Sequence, residues 1–181
     1  DAYLSGNSRV ADAEWRRARD EVSRTARPDL LARLELARCA AQVAALDAAP
    51  CTGFEAVAQD AADAEQAYAR YLQGQLAAGD VALLPKAQQA VAPLAPAQAD
   101  AALAAIEDPL SRLVAAGVLA ARGPVPMAVV TQAVDTASAQ GWRRAVMAWL
   151  INQQRLAREL GDTALAEQVQ RRLDLLQATQ K

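Results

Sequence analysis

Residues 108–161 read DPLSRLVAAGVLAARGPVPMAVVTQAVDTASAQGWRRAVMAWLINQQRLARELG, and this stretch decides the fold. Asp108-Pro109 joins an N-cap acceptor to a proline at the first helical position, where the missing N–H is harmless. Leu110, Leu113, Val114, Gly117 and Ala121 then recur at helical spacing, and Gly123 stops the helix. Pro126 opens a second helix with Met127, Val130, Val134 and Ala137, which ends at Gly141. A third runs from Trp142 through Val146, Trp149 and Leu156 to Gly161. Asp162 caps a fourth, striped by Leu165, Val169, Leu173 and Leu176. These are two hairpins with a repeat of roughly 35 residues, within the range of tetratricopeptide-like units. Gly117 in mid-helix costs about 1 kcal/mol relative to alanine, so its purpose is the close approach of a neighbouring helix. The expected fold is all-α: antiparallel helical hairpins stacked as a TPR-like repeat, or an irregular helical bundle.

The rest of the chain reads the same way. Asn7 or Ser8 caps a helix to about Ala26, with the stripe Ala11, Trp15, Ala18 and Val22. Pro28 opens a helix to about Asp47 with two apolar stripes, one through Leu30, Leu34, Ala37 and Ala41, the other through Leu36, Cys39, Val43 and Leu46. A helix apolar on two sides packs between neighbours. Thr52 and Glu55 have capping-box spacing and predict a third helix to Gly79, with Phe54, Val57, Ala61, Tyr68 and Leu72 on one face. Pro85, Pro93 and Pro96 punctuate the middle and predict two short helices, about 85–91 and 96–107. The chain thus divides as one helical domain, 1–181, with an N-terminal hairpin region (1–79), a proline-punctuated middle (80–108) and C-terminal hairpins (109–181).

Composition narrows the function. Alanine dominates and aromatics are only 4 %, so the core is made of small side chains on closely stacked helices. The net charge is −2, and acids accompany the arginines as i,i+4 pairs: Asp12 with Arg16, Asp20 with Arg24, Glu167 with Arg171. A basic face that would neutralise phosphates is therefore not expected, and nucleic acid is not an expected partner. No apolar run is long enough to span a bilayer. The first residue is Asp1 rather than methionine, which leaves room for a cleaved signal peptide, a removed lipid-anchor region or a trimmed start.

Cys39 and Cys51 are the two cysteines. Eight helical residues after Cys39 rise about 12 Å, and the four after Asp47 can span about 13 Å. The pair can therefore bridge if the chain reverses at once along its own helix. Such a bridge implies an oxidising compartment such as the periplasm. The alternative is two small hydrophobes in a reduced core.

There is no histidine, which removes Ser-His-Asp and Cys-His catalysis and histidine-dependent zinc sites. Neither a Walker loop nor a GxGxxG sequence is present. Asp60 and Asp63 are a carboxylate pair, read as part of a solvated face. No catalytic residue, metal or cofactor is expected. The aromatics offer the binding candidates. Trp142 and Trp149 share a face, Arg143 and Arg144 sit beside the first, and Trp and Arg are enriched in binding hot spots. Tyr68 and Tyr71, three residues apart, can line a groove. The partner-binding candidates are Trp142, Arg143, Arg144 and Tyr71. Core packing explains the same spacings.

The segment Ala37-Arg38-Cys39-Ala40, followed by Tyr71-Leu72-Gln73-Gly74 and the Pro85 helix, resembles small helical lipoproteins of the Gram-negative envelope, in particular those encoded beside two-component sensor kinases. The resemblance covers the first half; the compact C-terminal hairpins depart from that family's long tail. It implies a non-enzymatic envelope protein, periplasmic, with room for a lipid tether to the outer membrane upstream of Asp1, and with a protein partner. The expected function is a protein-protein adaptor or assembly factor. A carrier of an apolar small molecule within the helical bundle is the alternative, and a histidine-free enzyme the third.

Overall fold

The computed structural model describes residues 1–178; the last three positions of the expected C-terminal region lie outside them. The elements are α1 (Ser8–Ser23), α2 (Pro28–Ala44), α3 (Thr52–Glu55), a 3-10 turn (Ala58–Asp60), α4 (Asp63–Leu72), α5 (Asp80–Leu83), α6 (Lys86–Gln89), a second 3-10 turn (Pro96–Gln98), α7 (Asp100–Ala104), α8 (Pro109–Arg122), α9 (Met127–Ala139), α10 (Arg143–Glu159) and α11 (Thr163–Ala178). The fold is all-α, and among the described residues there is no strand.

The caps act where the letters place them. The side chains of Asn7, Asp108 and Asp162 accept hydrogen bonds from the backbone N–H groups of Val10 (3.3 Å), Ser111 (2.7 Å) and Leu165 (2.9 Å). Gly141 and Gly161 follow α9 and α10 with φ of 66° and 74°, the left-handed conformation that stops a helix. Pro28 and Pro109 stand at helix starts as expected.

α2 and α8 form the centre. α2 packs against α1, α3, α4 and α8; α8 also takes α6, α7 and α9. From α8 the chain runs as a ladder, each helix on the next to α11, joined by short turns and therefore antiparallel. The two C-terminal hairpins begin at Pro109 and Arg143, close to the expected repeat. One apolar core runs through the molecule from Leu4 to Leu173. Gly117 of α8 lies against the last turn of α2. A Cβ there would stand 2.9 Å from both the Val43 carbonyl carbon and Cγ1, and nearer still to the carbonyl oxygen.

The structure differs in the middle of the chain. The helix expected from Thr52 to Gly79 is three pieces. Cys51, not Thr52, caps α3, and without a side-chain bond, so the Thr52/Glu55 capping box does not form. Ala61 and Ala62 are extended (ψ 141° and 165°) before α4 begins. Broken in this way, α3, the 3-10 turn and α4 all pack on α2. Burial of Phe54, Ala61 and Tyr71 against that core outweighs local helix preference. Gly74, at φ 74°, follows α4; Gly79, at φ 89°, instead opens α5, a helix the proline pattern does not signal. Of the expected surface charge pairs, Asp12 reaches Arg38 (3.8 Å) and Arg24 reaches Glu21 (3.2 Å), because helix–helix contact and local geometry compete with i,i+4 pairing.

Candidate functional site

Alanine at positions 37, 40 and 64 leaves a hollow where larger residues would close the packing. It is an open, mainly apolar cleft of about 480 Å³ between α2, α4, the α5–α6 junction and α8. α2 contributes Leu36, Ala37 and Ala40, α4 contributes Ala64 and Tyr68, the junction Leu83, Leu84 and Pro85, and α8 Leu110 and Val114. Leu83 and Leu110 are 43 % and 37 % exposed, so the lips of the cleft offer apolar surface to solvent. The polar lining is Arg33, Glu65 and Ser111. Arg33 donates from Nε to Glu65 Oε1 at 2.6 Å, which ties α2 to the first turn of α4.

A buried polar relay ties together the elements around the cleft. The Tyr71 hydroxyl donates to Gln88 Oε1 at 2.7 Å, and Gln88 Nε2 donates to the Ser111 carbonyl at 3.0 Å. Tyr68 stacks on Tyr71 with ring centroids 6.1 Å apart. Burial pushes the Tyr68 hydroxyl up to about 12. Tyr71 is also raised, by burial first and then by its neighbour Tyr68.

The Leu83–Pro85 lip is held from behind. Arg70 of α4 grips Asp80 with two hydrogen bonds, at 2.9 and 2.6 Å, and the Ala77 N–H adds a third at 2.8 Å. These bonds, Arg70's first, hold the Asp80 carboxyl down at about 2. A planar guanidinium on a carboxylate is a directional clamp, so the loop from Gln73 to Leu84 has one seat.

The residues singled out from the sequence are dispersed. Tyr71 is buried beside the cleft rather than on a rim. Trp142 is buried as the N-cap of α10 and presents no indole face to solvent. Arg143 donates to the Leu176 carbonyl at 2.6 Å, docking α11. Arg144 clasps the N-terminus: it lies over the Tyr3 ring at 4.3 Å and donates to the Tyr3 carbonyl (2.8 Å) and the Ser8 hydroxyl (2.6 Å). Packing uses all four side chains, with Trp142 and Tyr71 buried and the two arginines half-buried. Trp149 is fully buried and donates from Nε1 to the Ala44 carbonyl at 3.0 Å. Glu65, Leu83 and Leu110 were not legible as site residues, because the cleft joins segments far apart in sequence.

Cys39 and Cys51 form a disulfide, with Cα atoms 5.8 Å apart. The reversal that allows it follows α2: Leu46 is left-handed (φ 55°), and Asp47 N–H returns to the Gln42 carbonyl at 2.9 Å. The loop after the reversal passes over the buried Glu35, which Arg19 approaches to 3.4 Å; Gly53 fits there because a Cβ would strike the Glu35 carboxylate. Asp60 and Asp63 are both exposed and lie off the cleft. No helix among the described residues is long and apolar enough to cross a membrane. No family model, curated protein or solved structure matches the chain.

Proposed function

We propose that this chain is a non-enzymatic adaptor or assembly factor of an oxidising envelope compartment, and that it holds a segment of a partner protein in the apolar cleft. The observation that carries this reading is the cleft's openness, with Leu83 and Leu110 exposed at its lips. Apolar surface kept exposed and rimmed by polar groups is characteristic of docking sites. The disulfide supports an oxidising compartment. The resemblance to envelope lipoproteins supports a periplasmic location, with a lipid tether upstream of Asp1 as its finer form. One observation favours a second reading, a carrier of an apolar small molecule: about 480 Å³ falls within the usual range for small-ligand pockets.

Site-specific photo-crosslinking in the native cell separates the two. A photoreactive residue at position 83 or 110 is expected to give discrete protein-sized adducts. The same residue at the exposed Leu160, which does not line the cleft, is expected to give none of these. Small-molecule adducts at 83 and 110 would favour the carrier. Identical patterns at all three positions would remove the cleft from the function.

A further inference from the structure

We propose that the Cys39–Cys51 disulfide latches a redox-operated flap, and that reduction by a dithiol frees residues 48–53 to swing outward while the helices stay folded. The flap is a thin partition between two hollows. One, of about 580 Å³, lies between it and the ends of α2, α4 and α8. The other, of about 420 Å³, lies between it, α1 and the middle of α2. Ala49, Pro50 and Cys51 line both. A segment with open space on either side lacks the close packing that holds a core element. Ala48, Ala49 and Pro50 are accordingly exposed.

The non-covalent ties sit at the flap's ends. The Asp47 N–H donates to the Gln42 carbonyl at 2.9 Å, and the Tyr3 hydroxyl donates to Asp47 Oδ2 at 2.8 Å. At the other end, buried Phe54 seats α3. Between these anchors the disulfide ties Cys51 to α2. With the bond cut, the flap bulges outward rather than unravelling. The closed flap also covers an ill-served carboxylate. Glu35 is buried, its Oε1 has no hydrogen bond, and Arg19 approaches it only to 3.4 Å. Gly53 lies against this carboxylate. Lifting the flap returns Glu35 to water, which favours the open form once the latch is gone.

The reductant is a dithiol. One of its thiolates attacks a cysteine sulfur, the S–S bond breaks, and a mixed disulfide forms as the other cysteine leaves as a thiolate. The second thiol of the reductant then displaces the first cysteine and closes its own disulfide. Two electrons pass to the chain, two protons end on Cys39 and Cys51, and the reductant departs oxidised. Both cysteines line the smaller hollow, which is open to solvent, so this approach does not require the core to unfold.

The test uses the full chain, dithiothreitol as the dithiol, and urea below the unfolding transition. The rate of reduction is expected to be independent of urea. In the reduced chain the Thr52 amide, which bonds the Pro50 carbonyl at 2.9 Å within the flap, is expected to exchange about tenfold faster or more, again without urea dependence. The amide of buried Val118 in α8 should keep the urea dependence of global unfolding. Acrylamide should quench Trp15, which lines the smaller hollow, more strongly after reduction, whereas Trp142 and Trp149 are buried. Cys39→Ser/Cys51→Ser should match the reduced chain in each respect. Reduction that proceeds only as fast as global unfolding would overturn the latch. So would a Thr52 amide that keeps its oxidised rate or follows the urea dependence of Val118. Loss of helical circular dichroism on reduction would show that the bond holds the whole fold and not a flap.

Discussion

Asp80 shows how one side chain sets the shape of the cleft from outside it. Its carboxylate joins Arg70 of α4 to the Ala77 N–H, and so fixes the segment that carries Leu83 and Pro85. The Arg70 bonds hold its pKa at about 2, below the ordinary 3.8. A carboxylate depressed in this way stabilises the fold above its ordinary value and loses that contribution as pH falls through the folded value. Urea midpoints of the wild type and Asp80→Asn should therefore differ most above pH 3.8 and converge as pH drops to about 2. A difference that persists unchanged at the acid end would show that shape, not charge, holds the loop. The sequence did not single out Asp80, because its partner lies across a turn whose course depends on Gly74. Trp142 and Trp149 teach the converse. Seven-residue spacing is what a buried stripe and an exposed hot-spot face both require, so the letters alone could not separate them. Both side chains are buried.

At the scale of elements, legibility follows how local the determinant is. Asn7, Asp108 and Asp162 cap their helices through contacts three residues away, and all were readable. The stretch after Thr52 was not, because its breaks come from wrapping around α2, a neighbour the local pattern cannot see. Gly117 lies between the cases: the sequence shows that a close approach exists, and only the structure shows that Val43 makes it. Gly117→Ala gains about 1 kcal/mol in helix propensity. It also forces a Cβ against the Val43 carbonyl, an overpacking that costs about 1–3 kcal/mol. The expected net change is a loss of up to about 2 kcal/mol in urea-unfolding free energy. Adding Val43→Ala should rescue only part of it, since the nearest obstacle is backbone. A stabilised Gly117→Ala would mean that α2 and α8 can move apart at no cost, and the close packing would lose its meaning.

The molecule as a whole is joined at the C-terminal half of α2. Cys39 is bonded there to Cys51, Val43 meets Gly117 of α8, and the Ala44 carbonyl receives the Trp149 indole from α10. Segments from residue 39 to residue 149 thus converge on two turns of one helix, and the core is continuous across them. The N-terminal region, the middle and the C-terminal hairpins should therefore unfold together, although the sequence divides them. The cleft depends on this arrangement, since its walls come from all three of these parts. The disulfide closes a span of 12 residues, for which loop-closure entropy gives about 3 kcal/mol. Cys39→Ser/Cys51→Ser, or reduction of the native chain, should lower the unfolding free energy by about that amount. A single transition should be retained when tryptophan fluorescence and helical circular dichroism are followed together. Fluorescence is the informative probe, because Trp15 lies in α1 whereas Trp142 caps α10 and Trp149 lies within it, so the indoles report on both halves of the chain. Separate transitions by the two probes after reduction would show that the disulfide, rather than the shared core, couples the regions.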